Sequence, residues 1–324
     1  MSLKGALVGF GKVAEAAHLG PLRAAKGFSI AAVVEADADR RHAAAKALPG
    51  AKLYPSIEAL LSKEKGLDFA DIATPPWLHA PLAKTCLEAG LNVLCEKPLA
   101  MTETELDSLA LAAKTSGKTL FCVHNWKKAP LIAKLKELLD EGAIGEPRFV
   151  QWEVLRTKPA ADVGGGWRSD PARAGGGIVM DHGWHAFYLL RWLLGKKPTS
   201  ASAKLIPAAP KEVEATVLAD FGGVPAVVHL SWRAPERSHA GVFRGSKGSI
   251  EISDAALVLK TQDKMETRYV FAEPLSHGSA HPDWFAQILP DFAAAVADKS
   301  LGAEALEEAR DAMKLVTLCY SKKR

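Results

Sequence analysis

In the first 123 residues, apolar positions come in short β-branched runs parted by longer alanine- and leucine-rich stretches. βαβ units feeding a parallel sheet leave that rhythm. It predicts strands over Ala6–Gly9, Ile30–Val34, Phe69–Ala73, Asn92–Cys95 and Thr119–Val123. Of the helices between them, Glu103–Ser116 is the best marked: Thr102 and Glu105 have capping-box spacing, and Gly117 follows as a stop. A helix over Pro130–Glu141, ended by Gly142, carries the chain onward. Past Arg148, after one glycine-rich loop and one helix, the pattern changes to antiparallel-sheet signals. Val213–Phe221 and Ala226–Trp232 flank Gly222-Gly223 as a hairpin, and a turn at Gly245–Gly248 precedes Ser249–Ser253. Helices over Trp284–Ala297 and Ala303–Tyr320 close the chain. The expected class is α/β, with a βαβ domain over residues 1–123 and an α+β domain over 124–324.

Composition narrows the function classes. The 324 residues are 48% apolar and 24% charged, a globular balance that leaves little room for long disorder. The net charge of +4 is not gathered into a basic tail or arginine-rich helix, so nucleic acid is not an expected partner. No run of eighteen apolar residues occurs, so no membrane span is expected. Cys86, Cys95, Cys122 and Cys319 lie far apart without a C-x-x-C pair. They read as reduced thiols of a cytoplasmic protein, and the early glycine pattern leaves no room for a secretory leader.

Three groups of residues carry chemistry. G-F-G-K-V-A over Gly9, Phe10, Gly11, Lys12, Val13 and Ala14 follows the first strand and opens an alanine-rich helix. Gly9 permits a tight turn, Gly11 lets backbone N–H groups approach a pyrophosphate, and Ala14 allows close helix–strand packing. About two dozen residues on, Glu35 ends the second strand, where a carboxylate can accept from both ribose hydroxyls. Its charge repels a 2′-phosphate, which favours NAD, while Arg40 and Arg41 leave NADP open. These features together predict a Rossmann dinucleotide-binding domain. The second group is Glu96-Lys97-Pro98, just past a strand end, where the ligand crevice of an open α/β sheet lies. Thr74-Pro75-Pro76 forms a comparable strand-end turn, with His79 soon after. The third is D-H-G-W-H from Asp181 to His185, following the loop Gly164 to Gly177. Residues four apart share a helix face, so the pair reads either as a proton relay or as a capping acid with a satisfied core histidine. No matching ligand set supports a metal site.

These residues closely resemble the glucose-fructose oxidoreductase and inositol dehydrogenase family, Gfo/Idh/MocA, along nearly the whole chain. The likeness rests on G-F-G-K-V-A, T-P-P-W-L-H at Thr74 to His79 and E-K-P at Glu96 to Pro98. It continues with G-x-I-G-x-P at Gly142 to Pro147, W-R at Trp167-Arg168 and G-G-G-I-V-M-D-H-G-W-H at Gly175 to His185. The resemblance implies a Rossmann domain joined to an α+β domain with a large open, mostly antiparallel sheet. It implies Lys97 as the catalytic lysine with Asp181 and His185 as partners. Gly9, Gly11, Glu35, Glu96 and Pro98 fall in or near the cofactor site, with Phe10, Lys12, Val13, Arg40, Thr74, Pro75, His79, Trp167 and Arg168 beside them. Lys97, Asn125, Asp181 and His185 would meet the substrate. One position departs from the pattern D-x-G-x-H-x-x-D of many polyol-oxidising members: Tyr188 replaces the last aspartate.

The expected activity is hydride transfer between nicotinamide and a carbinol or carbonyl carbon of a sugar, sugar derivative or related small molecule. Lys97 would handle the proton at the reacting oxygen. Arg168, Lys127, Lys128 and Lys158 read either as a preference for acidic substrates or as solvated surface charge. The alternatives are an NAD-dependent non-redox, glycosidase-like enzyme and a non-catalytic dinucleotide sensor. Alternation in Ala226–Trp232, with relatives that associate through the outer sheet face, predicts a homodimer or homotetramer.

Overall fold

The computed structural model describes residues 2–159, 166–167, 170–207 and 211–321. It divides into two compact units. The first takes the chain up to Asn125 together with Ala280–Arg310, and the second takes most of the remainder.

In the first unit, strands β1 (Leu3–Val8), β2 (Phe28–Val34), β3 (Lys52–Tyr54), β4 (Phe69–Ile72), β5 (Asn92–Cys95) and β6 (Leu120–Cys122) form one parallel sheet. Its order is β3-β2-β1-β4-β5-β6, the doubly wound order whose carboxyl-end crevice takes a dinucleotide. Helices α1 (Leu19–Ala24), α2 (Ala38–Ala47), α3 (Ile57–Lys63), α4 (His79–Glu88) and α5 (Glu103–Ser116) connect the strands. Of the capping box of α5 the N-cap half forms: the Glu105 N–H donates to Thr102 Oγ1 at 3.1 Å, while Glu105 Oε2 accepts from the Met101 N–H at 2.7 Å, and Gly117 ends the helix left-handed. Strand β3 had no clear sequence signal, because three residues are too short to show alternation.

The C-terminal segment departs from the expected division at 123/124. Phe285, Ile288, Leu289 and Phe292 pack with Leu3, Leu22, Phe69, Leu94 and Val123 in one buried cluster of the first unit. Each such side chain contributes about 1.5–3 kcal/mol on burial, and this distant helix covers apolar surface that βαβ connections leave open. Where one helix was expected over Trp284–Ala297, there are two, α9 (Pro282–Ala286) and α10 (Ile288–Ala297). Pro290 has no N–H to give Ala286 four residues earlier, and the turn between them tightens.

The second unit is built on an eight-stranded sheet in the order β14-β13-β12-β11-β7-β10-β9-β8. Its strands are β7 (Pro147–Leu155), β8 (Pro198–Ile206), β9 (Glu214–Phe221), β10 (Val224–Ser231), β11 (Ser238–Gly245), β12 (Gly248–Ser253), β13 (Ala256–Thr261) and β14 (Glu266–Val270). All neighbours are antiparallel except β7 and β10, which are parallel. Helices α6 (Pro130–Asp140), the single turn α7 (Pro171–Ala174) and α8 (Trp184–Leu194) complete it. The long helix α11 (Lys299–Tyr320) begins in the first unit and ends in the second. Along β9, Ala215, Val217, Ala219 and Phe221 are buried while Thr216 and Leu218 are exposed, the alternation of a sheet with one covered face. Among the described residues no helix is long and apolar enough to cross a membrane.

Candidate active site

The carboxyl ends of β1, β4 and β5 lie side by side, since these strands are sheet neighbours. The loops leaving them carry three of the groups singled out in the sequence. After β1, Gly9 has φ +91, and a Cβ there would lie 2.8 Å from Thr74 Cγ2 and 3.0 Å from the Ala73 carbonyl. Packing within the unit itself therefore demands glycine at this position. Gly11 differs: its φ is not positive, and a Cβ would meet no protein atom within 4 Å. Its missing side chain leaves open space above the loop, as a pyrophosphate lying against the backbone requires.

Glu35 closes the other side of this loop. The 8% exposed residue accepts from the Phe10 N–H at 2.8 Å through Oε2 and from the Asp37 N–H at 2.9 Å through Oε1. Two bonds leave about half the carboxylate's acceptor capacity for ribose hydroxyls. Arg40 Nε stands 3.8 Å from Glu35 Oε1, with its side chain 42% exposed. Arg41 turns back to donate to the Glu35 and Ala36 carbonyls at 2.6 and 3.0 Å.

After β4 and β5, the two strand-end turns both meet His79. Its Nδ1 lies 2.7 Å from the Pro98 carbonyl and its Nε2 2.6 Å from the Thr74 carbonyl, and burial pushes its pKa down. His79 is 1% exposed, and its neutral imidazole can donate to one of these two carbonyls and pack against the other. Thr74 Oγ1, beside Gly9, is a buried hydroxyl with no protein partner. Open space over Gly11, unused acceptor capacity on Glu35 and the unpaired Thr74 hydroxyl all fit a dinucleotide at these strand ends.

A buried ion cluster underlies Lys97, and sequence reading missed it. His18 sits in a π-helical turn, Ala14–His18, just ahead of Pro21, which cannot give an N–H to Ala17. His18 Nδ1 is 2.8 Å from Asp71 Oδ2, and Nε2 is 3.0 Å from Glu96 Oε1. Ionised carboxylates only accept, so both nitrogens carry protons and the ring is an imidazolium. Burial works against that charge, but Asp71 and then Glu96 outweigh it and raise the His18 pKa from 6.5 to about 10. Burial also opposes ionisation of Glu96, yet His18 and then Lys97 hold its carboxyl below the usual range. Glu96 Oε2 accepts the Lys97 N–H at 3.1 Å, so the ion cluster grips the main chain of the candidate catalytic lysine. Phe285 stacks on the His18 ring at 3.7 Å. The signal available in the sequence was a histidine on the dinucleotide helix together with an aspartate inside an apolar strand.

The second unit assembles a separate group. A second π-helical turn, Val179–Gly183, runs into α8, so Asp181 and His185 do not follow the α-helical spacing expected of them. Glu212, fully buried, accepts the N–H groups of Gly177 and Val179, each at 3.1 Å, and the Tyr320 hydroxyl at 2.7 Å. A Cβ on Gly177 would lie 2.1 Å from the Glu212 carbonyl, which accounts for glycine there. Burial and then Glu212 push the Tyr320 phenol up. Asp181 Oδ2 lies 3.5 Å from His182 Nδ1, which accepts from Trp232 Nε1 at 3.2 Å. His185 Nδ1 is 3.1 Å from the hydroxyl of Tyr188, whose side chain is fully buried. Arg156, 5% exposed, donates to Leu155, Ser238 and His239. Burial and then Arg237 pull its pKa down to about 10, while Asp254 and Asp181 act the other way.

Other expected site residues are placed as follows. Lys12 and Val13 are exposed on the loop after Gly11, and Pro75 is half-buried. Trp167 belongs to the first unit, its ring 5.8 Å from that of Trp77. Arg168 lies outside the described residues. Asn125 begins a short 3₁₀ turn, Asn125–Lys128, at the end of the first unit. The four cysteines are free and buried.

The first unit thus has the fold and furnishings of a nicotinamide-dinucleotide enzyme. Residues 3–124 match the oxidoreductase family with NAD-binding Rossmann fold, and residues 132–251 match the GFO/IDH/MocA C-terminal domain. The chain belongs to this Gfo/Idh/MocA family of NAD(P)-dependent oxidoreductases. It is 31% identical to D-apiose dehydrogenase of Paraburkholderia graminis over 85% of this chain and 74% of that protein. It is 34% identical to a putative UDP-kanosamine synthase oxidoreductase subunit of Amycolatopsis mediterranei, over 73% of this chain and 60% of that one. An Agrobacterium radiobacter oxidoreductase, crystallised with NAD+, L-tartaric acid and magnesium, shares the fold. It has a TM-score of 0.83 and 23% identity, covering 99% of this chain and 96% of that one.

Proposed function

We propose that the chain transfers a hydride reversibly between nicotinamide and a carbinol or carbonyl carbon of a sugar or sugar derivative. Lys97 serves as the principal proton-transfer group, with His185 and Asp181 as its partners. The observation that carries this reading is the hold on Lys97: its N–H is bonded to Glu96 at the carboxyl end of β5, beside the strand ends that carry the glycine loop and the Thr74 turn. That crevice is where an open α/β sheet binds its ligand, so a lysine fixed there stands within reach of the reacting oxygen. The bound cofactor supplies hydride chemistry. Lys97 removes or returns the proton of the reacting oxygen. The sugar class is supported by relatives named for apiose and for a nucleotide-linked sugar.

NAD is the preferred cofactor, since Glu35 presents a buried anion where a 2′-phosphate would stand. The outer face of the second unit's sheet joins copies into a homodimer or homotetramer. Leu218, 57% exposed, pairs with the half-buried Val227 there. A screen of aldoses, sugar acids, polyols and nucleotide sugars for change in nicotinamide absorbance tests the activity. Net NADH formation or consumption with at least one sugar is expected, and redox-neutral turnover would overturn hydride transfer as the net reaction.

A further inference from the structure

The turn that carries Asp181 is held at its start by residues from far along the chain. A helix leaves its first N–H groups without partners inside it, and a side chain beside the helix usually takes one of them. Here Glu212, 33 to 35 residues away, takes them from consecutive residues. Its Oε1 accepts the Gly177 and Val179 N–H groups at 3.1 Å each, and its carbonyl accepts the Ile178 N–H at 3.0 Å. The Tyr320 hydroxyl, at the end of α11, donates to the same Oε1 at 2.7 Å and accepts from the Gly177 N–H at 3.2 Å. The hold reaches Asp181 through one residue: the Gly177 carbonyl accepts the Asp181 N–H at 3.2 Å. All of these residues belong to the second unit.

The glycines ahead of the turn fit this hold. A Cβ on Gly176 would lie 2.1 Å from Tyr320 Oη, and one on Gly177 would lie 2.8 Å from Glu212 Oε2. Side chains are excluded where two distant residues reach the main chain. Burial and then Glu212 push the Tyr320 pKa up, so the phenol keeps the proton it donates. Glu212 is fully buried, and among the described residues its Oε2 has no hydrogen-bond partner. Leaving a buried carboxyl oxygen unbonded lowers stability, so a glutamate kept here points to a task other than stability.

We propose that Glu212 and Tyr320 are positioning residues, which fix the start of the π-helical turn and, through Gly177, the place of Asp181. The end of the chain's last helix thereby acts on the reaction through Asp181. The inference rests on the reading of Asp181 as a partner in the chemistry, and it adds two residues that no motif of the sequence marked.

A double-mutant cycle on the full chain tests it, with a sugar that changes nicotinamide absorbance in the screen. Tyr320→Phe keeps the ring but removes a donor to Glu212 and an acceptor for Gly177. It is expected to lower kcat about 10-fold in wild type and less than about 2-fold in Asp181→Asn, where the group that Tyr320 places is already lost. NAD affinity is expected to stay within about 2-fold, since the dinucleotide loop lies in the other unit. Amide hydrogen exchange reads the hold without a substrate: the Val179 and Asp181 N–H groups exchange about 10-fold faster in Tyr320→Phe, while Tm stays near wild type. Glu212→Gln, which keeps one accepting oxygen, follows the same pattern, so either variant decides if the other does not fold. Equal losses of kcat in both backgrounds, or unchanged exchange from Gly177 to Asp181, would overturn the proposal. If Asp181→Asn is impaired and Tyr320→Phe is not, the proposal fails and the role of Asp181 stands. Full turnover by Asp181→Asn removes that role and the proposal with it. A screen without a reactive sugar overturns the activity, and amide exchange still decides the hold.

Discussion

The two units hold their functional groups by different physics. In the first, a buried imidazolium between two carboxylates, His18 with Asp71 and Glu96, fixes the turn that carries Lys97. In the second, the Trp126 N–H donates to the Tyr188 hydroxyl, which lies 3.1 Å from His185 Nδ1. Breaking one partner of a buried ion cluster leaves an uncompensated charge and costs several kcal/mol, whereas losing one neutral hydrogen bond costs about 1 kcal/mol. The ion cluster therefore gives the more rigid mount, and the hydrogen-bonded chain in the second unit the softer one.

The sharpest break in this comparison is Lys97→Ala. Turnover should fall by ~10²- to 10⁴-fold, the worth of a positioned acid or base, while NAD affinity stays within a few-fold. Steady-state kinetics with calorimetric NAD titration check it, and near wild-type turnover would defeat the assignment. Gly11→Val should do the opposite, losing NAD affinity by about 100-fold because its side chain occupies the pyrophosphate's space. Its melting temperature should hold, as the added Cβ meets no protein atom within 4 Å.

The ion cluster itself is tested by stability against pH. His18 is raised from 6.5 to about 10 on folding, so its contribution is complete below about 6.5 and is lost as pH rises through about 10. Urea unfolding of wild type and His18→Gln at stepped pH should show their stability difference shrinking over that window. A difference independent of pH would sink the imidazolium. Smaller again is the effect of Glu35→Gln, which keeps an acceptor but removes the charge: the NAD-to-NADP affinity ratio should fall by about 10-fold, roughly 1.4 kcal/mol. The smallest effect on chemistry belongs to Leu218→Glu, which should shift sedimentation toward monomer and leave turnover per chain within about 2-fold, since surface substitutions act locally.

Local spacing made much of the first unit legible. The glycine loop, Glu35 at a strand end and the capped helix α5 depend on neighbours within a few residues, and each appears where expected. The second sheet was read only in part. β9, β10 and β12 were read from the glycine turns beside them; β11 ends on the same Gly245–Gly248 turn but was not read, β13 and β14 are joined without a glycine, and β7 and β8 take their place from partners far along the chain. The Asp181–His185 spacing was legible as a motif, but the π-helical turn beneath it was not, because no residue-level preference marks one.

By itself the sequence determined that a dinucleotide-binding βαβ domain comes first, which strand ends carry its chemistry, and that Lys97, Asp181 and His185 are the groups to ask about. Family resemblance in short motifs is enough for that, since turns and strand ends are specified locally. Tertiary structure alone decided that Ala280–Arg310 belongs with the first unit, that His18 is charged between Asp71 and Glu96, and that Tyr188 stands against His185. The first of these follows from burial of apolar surface and the other two from proton sharing across short distances. Both depend on which side chains meet in space, and a spacing along the chain does not state that.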